Sequence, residues 1–506
     1  MNLQLNGSPL TLDELREAWR LPLSVELGED ARSRIEAAAA AVDRVIAEGA
    51  AVYGVNTGFG QLAQVRIEEH ELTHLQENLV RSHAAGVGDD LSDEVVRLVI
   101  LLKVMALARG HSGVRLELVD ALRALLEHEI YPCIPSQGSV GASGDLAPLA
   151  HLSRVLLGEG EAHVRGRLVS APEALTEAGI EPIRLGPKEG LALLNGTQVS
   201  TALALAAVFR TENVLAAALV AGAMATDATK GSDGPFDRRI QDLRGHSGQA
   251  DVATALRELM KGSEIRASHL KCNRVQDPYS IRCQPPVAGA CLEALRHVSG
   301  LLETEANAVT DNPLVFASTG EILSGGNFHA EPVAIAADYL ALAVAEIGSL
   351  SERRTALLID ANLSQLPAFL VRNSGLNSGF MMAGTTAAAL VSENKCLAHP
   401  ATVDTIPTSA NQEDHVSMAT HGARRLHDML DNVQNIVAIE LLAAAQGIEF
   451  RRPDRSSTAI EEAIATVRAI SPPYTEDRPL ADDIAGVAAL IGRGAFRGYV
   501  APALPR

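Results

Sequence analysis

The chain has 506 residues, 47% of them hydrophobic but only 3% aromatic, so its apolar mass is mainly Ala, Leu and Val. Ala and Leu are strong helix formers, and small side chains let long helices pack closely, which predicts a mainly α protein with a large core. A formal net charge of −19 argues against a nucleic-acid surface, which needs clustered Lys and Arg, and against docking on an anionic membrane.

Five cysteines, Cys133, Cys272, Cys283, Cys291 and Cys396, make an odd number with no C-x-x-C pair. The spacing argues against a disulfide framework or a thiolate zinc motif and fits a reducing cytoplasm. The first residues, MNLQLNGSPLTLDEL, carry neither the basic nor the apolar region of a secretory signal.

In chain order, residues 31–48, 91–109 and 114–129 read as amphipathic helices. Between the first two lie YGVNTGFG from Tyr53, a glycine-punctuated loop, and His70-Glu71-Leu72-Thr73-His74, which matches the zinc metalloprotease pattern H-E-x-x-H. Three observations count against the zinc reading, which stays a remote alternative. The flanks RIEEHELTHLQEN are strongly charged, the apolar stripe Leu72, Leu75 and Leu79 lies on another side, and no downstream segment supplies a clear third ligand.

From Tyr131 to Leu149 the segment YPCIPSQGSVGASGDLAPL is too dense in Pro, Gly and Ser for regular structure throughout. Residues 161–187 read as a short excursion with turns. Long Ala-rich helices are expected at 190–226, 285–309, 331–358, 379–398 and 411–446, separated by Asn-, Asp-, Gly- and Pro-rich loops. Thr201 to Thr226 is apolar but holds Arg210 and Glu212, which favours a buried helix over a membrane span. The expected plan is an N-terminal globular domain, 1–200, carrying the active-site loops, followed by a long-helix bundle, 201–506.

The string GSVGASGDLAPLAH at 138–151 carries specific chemistry. The Gly144 amide nitrogen can attack the Ala142 carbonyl carbon and close a five-membered ring. Glycine suits that position because a Cβ would obstruct so tight an approach. Loss of water from the ring and of the Ser143 hydroxyl leaves a methylidene-imidazolone, an electrophile that needs no external cofactor. Asp145, next in line, can assist proton transfer. A lone Ala-Ser-Gly is common in loops; the fourteen-residue string is not. Gly141-Ala142-Ser143-Gly144 also approaches a nucleophile elbow but has Asp145 where the final glycine belongs.

This string resembles the signature of the aromatic amino acid ammonia-lyase family, whose members carry such a self-made group. The resemblance spans nearly the whole chain: YGVNTGFG, LLNGTQ from Leu193, VQDPYSIRCQP from Val275, TDNPLVF from Thr310, SGGNFHAEP from Ser324, GSLSERR from Gly348 and PTSANQEDHVSM from Pro407. Gln137 departs from the basic residue expected of many members.

The resemblance implies deamination of an aromatic amino acid. Members acting on L-histidine are most similar, which implies trans-urocanate and ammonia as products and the opening step of histidine breakdown, with phenylalanine or tyrosine as alternative substrates. It implies a group formed from Ala142, Ser143 and Gly144, no metal, and a cytoplasmic homotetramer whose active sites draw loops from three subunits. Tyr53 is implied as the base for the β-proton, with Tyr279 beside it in the catalytic set. By itself, a Tyr in such a loop is more often a packed aromatic. Asn195 and Gln276 are implied to hold substrate and prosthetic group. Arg282 offers a planar fork for the substrate carboxylate, although an isolated Arg is more often a surface ion-pair partner. Phe328 is implied to line the pocket, and His83 and Glu413 to bind the substrate side chain. Asn195-Gly196-Thr197 also matches a glycosylation sequon, discounted for a cytoplasmic chain.

Overall fold

The computed structural model describes residues 1–49, 52–58, 60, 64–269 and 275–505; Phe59 of YGVNTGFG and Cys272 lie outside them. Helices account for 61% of the chain, as a composition rich in Ala and Leu predicts. Two compact units form. One comprises Met1–Ala206, Gly300–Asp338 and Pro400–Arg424; the other comprises Ala207–Ser299, Tyr339–His399 and Arg425–Arg506.

The first unit holds the short strands and the special loop. The expected helix at 91–109 forms as Asp93–Ala108 but is not amphipathic: every residue from Val95 to Ala108 is buried. Its sequence is apolar around the whole circumference, which is the pattern of a core helix rather than a surface one. The Pro- and Gly-rich segment resolves into strand Ile130–Pro132, strand Pro135–Gln137, a loop over 138–145, and helix Leu146–Leu156. Ile130–Pro132 pairs antiparallel with Glu161–Val164, and Pro135–Gln137 with Val87–Asp90. The excursion at 161–187 is the hairpin Glu161–Val164/Arg167–Ser170 followed by helix Ala171–Ala178. Ser170 caps that helix and Gly179, left-handed at φ 68°, ends it.

Two expected helices differ at positions that matter for the site. The stretch 190–226 is two helices, Glu189–Leu194 and Gln198–Ala228. Asn195 turns extended (φ −83°, ψ 131°) and Gly196 takes φ +130°. That φ is one L side chains rarely adopt, so a side chain at the break would be strained and glycine suits it. The stretch 411–446 begins later, as Ala419–Glu449, and leaves 407–418 as a loop bridged between Thr408 and Glu413.

Gln198–Ala228 and Glu331–Ile359 are long and apolar enough to cross a membrane by length and composition, but 89% of the most apolar window of the first is buried within the protein. That is the surrounding of a core helix.

In the second unit, a fully buried ion pair ties two helical segments. Arg354 donates to both carboxylate oxygens of Glu440, at 2.5 and 2.8 Å, and to the Ala218 carbonyl at 3.2 Å, while Ser351 Oγ donates to Glu440 at 2.6 Å. Their side chains are 2% and 0% exposed, so each charge depends on the other for its solvation. Arg354→Met alone leaves Glu440 buried and uncompensated and is expected to cost about 3–5 kcal/mol. The double variant Arg354→Met/Glu440→Leu is expected to recover most of that loss. Denaturation of wild type, single and double variants measures this; equal losses in both variants would contradict it.

Candidate active site

The loop at 138–145 is held from two sides. Gly144 forms a parallel backbone bridge with Gly196, and Asp145 N donates to Gly196 O at 2.8 Å. Gly144 has φ +75°, and a Cβ there would lie 2.2 Å from the Gly196 oxygen. No other residue type fits. On the opposite side, Met418 N donates to Val140 O at 2.9 Å, Ser417 Oγ to Gly141 O at 3.1 Å, and Ala330 N to Gly141 O at 3.2 Å.

The Asp145 carboxylate, whose expected task was proton transfer, is engaged as an anchor. One oxygen accepts from Ser139 Oγ (2.9 Å) and Thr420 Oγ1 (2.6 Å); the other accepts from Ser200 N (2.8 Å) and Ser200 Oγ (3.0 Å). It is completely buried. Four donors on a buried carboxylate fix the loop's exit and the start of helix Leu146–Leu156.

Ala142 and Gly144 are buried and Ser143 is half-buried. Ser143 opens onto a cavity of about 1230 Å³ lined also by Tyr53, His83, Asn195, Phe328 and Glu413. Asn195 Nδ2 donates to the Ser143 carbonyl at 2.9 Å. Its Oδ1 is buried and has no partner among the described residues. A buried acceptor without a donor is rare in a folded protein, and here it borders the triplet. Tyr53 is half-buried, and its hydroxyl accepts from Gly60 N at 3.4 Å.

Glu413 Oε1 accepts from Ser143 Oγ at 2.5 Å, and Oε2 accepts from Thr408 Oγ1 at 2.5 Å and Ser409 Oγ at 2.9 Å. Burial pushes this carboxyl's pKa up, but the hydroxyls of Ser143, Thr408 and Ser409 and the nearby His83 together hold it below the ordinary value. His83 ends helix Leu72–His83, where its Nδ1–H donates to Leu79 O at 2.8 Å. That tautomer leaves the lone pair on Nε2. Burial lowers the His83 pKa, over the opposing pull of the Leu79 carbonyl and the Glu413 charge. The pair therefore faces the cavity as a neutral imidazole and a carboxylate, both presenting acceptors.

Gln276, Tyr279 and Arg282 belong to the second unit. Gln276 is exposed and Tyr279 is 70% exposed. The Arg282 guanidinium lies over the Tyr279 ring, 4.6 Å from its centre, and Arg282 Nε is buried with no partner among the described residues. None of the three is among the residues that line the cavity. His70 and His74, the histidines of the H-E-x-x-H match, are exposed.

The model of the aromatic amino acid lyase family matches residues 10–469. The chain belongs to this family. It is 58% identical over 492 residues to histidine ammonia-lyase of Vibrio cholerae, covering 97% of this chain and 96% of the relative. Histidine ammonia-lyase of Trypanosoma cruzi superimposes with a TM-score of 0.91 at 44% identity, covering 100% of this chain and 96% of that one. Tyrosine aminomutase of Streptomyces globisporus gives 0.93 at 35% identity, with 100% and 99% covered. The family is one of carbon–nitrogen lyases, and this chain is such an enzyme.

Several supporting residues escaped the sequence reading. Lys103 is completely buried, and its Nζ donates to Asn195 O at 2.8 Å and Ala192 O at 3.1 Å, capping the helix end that carries Asn195. Burial pushes its pKa down to about 7, against the pull of Asp311 and Asp145. Lys188 pairs with Asp311 at 2.7 Å, also buried. A signal existed for Lys103: a lone lysine in the apolar run VILLKVMALA must find buried acceptors.

The His83 shift carries a stability consequence. The unfolded imidazole titrates at 6.5 and the folded one lower, so between those values the unfolded chain binds the extra proton. Stability from this group is fully present above about 6.5 and is lost as pH falls through the folded value. Stability of wild type is therefore expected to fall more steeply below about pH 6.5 than that of His83→Leu. Urea unfolding across this range checks it; parallel profiles would contradict the assignment.

Proposed function

We propose that the chain is a histidine ammonia-lyase, converting L-histidine to trans-urocanate and ammonia in the cytoplasm. The observation that carries the reading is Ser143 facing the cavity beside His83 and Glu413, within a loop whose following glycine is locked against Gly196.

Ala142, Ser143 and Gly144 fit a self-made methylidene-imidazolone. The side-chain-free contact at Gly144 leaves its nitrogen room to approach the Ala142 carbonyl carbon. Ring closure releases one water, and loss of the Ser143 hydroxyl with its Cα proton releases a second. Such a group would supply an electrophile for the substrate amine, whose nitrogen would then leave more readily. Asn195 holds the former Ser143 carbonyl through Nδ2 and offers its unpartnered Oδ1 to a substrate donor. Tyr53 takes the β-proton as general base. Loss of the Ser143 hydroxyl also removes the hydrogen bond to Glu413 Oε1 and frees that oxygen for the substrate ring.

Selectivity follows from the two acceptors. A protonated imidazole offers two N–H donors, a phenol one O–H and a phenyl ring none. Each buried polar group left unpaired costs about 1–3 kcal/mol. Two such penalties correspond to roughly one hundred-fold discrimination or more, at about 1.4 kcal/mol per tenfold. Phe328 forms part of the apolar wall.

Gln276, Tyr279 and Arg282 complete the site from other copies of the chain in a homotetramer: Arg282 as a bidentate partner for the substrate carboxylate, Gln276 and Tyr279 holding substrate and prosthetic group. Two facts support sharing. The cavity of about 1230 Å³ is larger than one amino acid requires, and these three residues are absent from its lining while Gln276 and Tyr279 stay exposed.

Two results are expected. Ser143→Ala has no hydroxyl to eliminate and should lose turnover while retaining the wild-type circular dichroism spectrum; substantial residual turnover would overturn the mechanism. Steady-state assays on three amino acids should rank histidine first, tyrosine second and phenylalanine last. Equal efficiency on phenylalanine or tyrosine would defeat the histidine assignment and leave the lyase class standing.

A further inference from the structure

Away from the cavity, three strand ends of the first unit bring together side chains of metal-ligand type that are far apart in sequence. Asp90 closes strand Val87–Asp90, Cys133 follows strand Ile130–Pro132, and His163 lies within strand Glu161–Val164. Backbone pairing sets their positions. Asp90 is registered opposite Pro135 and His163 opposite Tyr131, and Cys133 N donates to Glu161 O at 3.0 Å. One donor atom from each of Asp90, Cys133 and His163 lies within 4.8 Å of the other two. Asp93 places a further carboxylate oxygen 2.8 Å from His163 Nδ1.

Donors around a tetrahedral zinc lie about 2.0–2.3 Å from the ion, so they are separated from one another by roughly 3.3–3.8 Å. The set, within 4.8 Å, would have to close by roughly 1 Å to bind the ion. A sulfur, an imidazole nitrogen and carboxylate oxygens form a borderline-soft donor set, which selects zinc-like ions over magnesium or calcium.

We propose that Asp90, Cys133 and His163, with Asp93 beside the imidazole, form a site for one thiophilic divalent cation, of which zinc is the type. The ion would join strands of two different sheets just ahead of the loop at 138–145, as a structural staple outside the cavity. The local field suits a cation. The carboxylates of Asp90, Glu161 and Asp93 lie close to the Cys133 thiol, and a divalent charge offsets that crowding. Asp90 is exposed and Cys133 and His163 are half-buried, so an ion can reach the site from solvent. Spacing rules miss this site because its ligands come from separate strands and none lies in a C-x-x-C or H-x-x-H segment.

The test uses full-length protein without a histidine tag. It is stripped with a chelator, loaded with Zn²⁺, desalted, and analysed for metal per chain; a parallel sample is loaded with Co²⁺ and its absorption recorded. Wild type is expected to retain one zinc per chain, to melt higher with zinc than without, and to show a thiolate-to-cobalt charge-transfer band. Cys133→Ser should lose that band, and both Cys133→Ser and His163→Gln should bind zinc at least tenfold more weakly with an unchanged circular dichroism spectrum. Should Cys133→Ser fail to fold, His163→Gln alone decides by the zinc measurement. Absence of retained zinc in wild type, or equal retention by wild type and His163→Gln, overturns the proposal.

Discussion

A carbon atom on Gly144 would lie 2.2 Å from the Gly196 carbonyl oxygen, so these two backbones meet only because no side chain stands between them. The contact holds the loop at 138–145 against the break between helices Glu189–Leu194 and Gln198–Ala228. It sets the direction of Asn195, whose amide reaches the Ser143 carbonyl. It also fixes Asp145, the first residue after the triplet, by the bond from its backbone N–H to Gly196 O. With Ser417, Met418 and Ala330 holding Val140 and Gly141 on the other side, Ser143 is left as the triplet's most open member, facing the cavity.

Around this contact the first unit buries polar groups in pairs. Asp145 receives four donors, Lys103 caps two carbonyls, Lys188 meets Asp311, and Thr197 Oγ1 donates to Glu305 at 2.6 Å. Such networks seldom add much net stability, because desolvation offsets most of the attraction. Their value lies in fixing geometry, since any displacement leaves a buried charge or carbonyl unpaired. The proposed conversion of three of its own residues into an electrophile would need that rigidity before substrate arrives.

The triplet stands out in the sequence because the chemistry expected of it is local: three adjacent residues, a required glycine and a long specific string. Helices with a single dominant period were legible too. The rest was hidden where tertiary contacts decide. The interruption at 195–197 lies inside an apolar, Ala-rich run whose periodicity continues on both sides, and only the contact with Gly144 explains it. Residues 411–418 read as the start of a helix by composition, yet they lie in a loop where Glu413 accepts from Thr408, Ser409 and Ser143. Asp93–Ala108 is expected to be amphipathic, yet its charged residues Arg97 and Lys103 are both buried and bonded. The grouping of Asp90, Cys133 and His163 depends on strand pairing, which spacing cannot encode.

The central claim is that Ala142, Ser143 and Gly144 become an electrophile without outside help. Mass spectrometry of the proteolytic peptide spanning 138–151, from protein purified without added cofactor, tests it most directly. The account predicts a peptide lighter than its sequence by two water molecules, with both losses mapped to Ala142–Gly144. A peptide at the full sequence mass in active enzyme would contradict it.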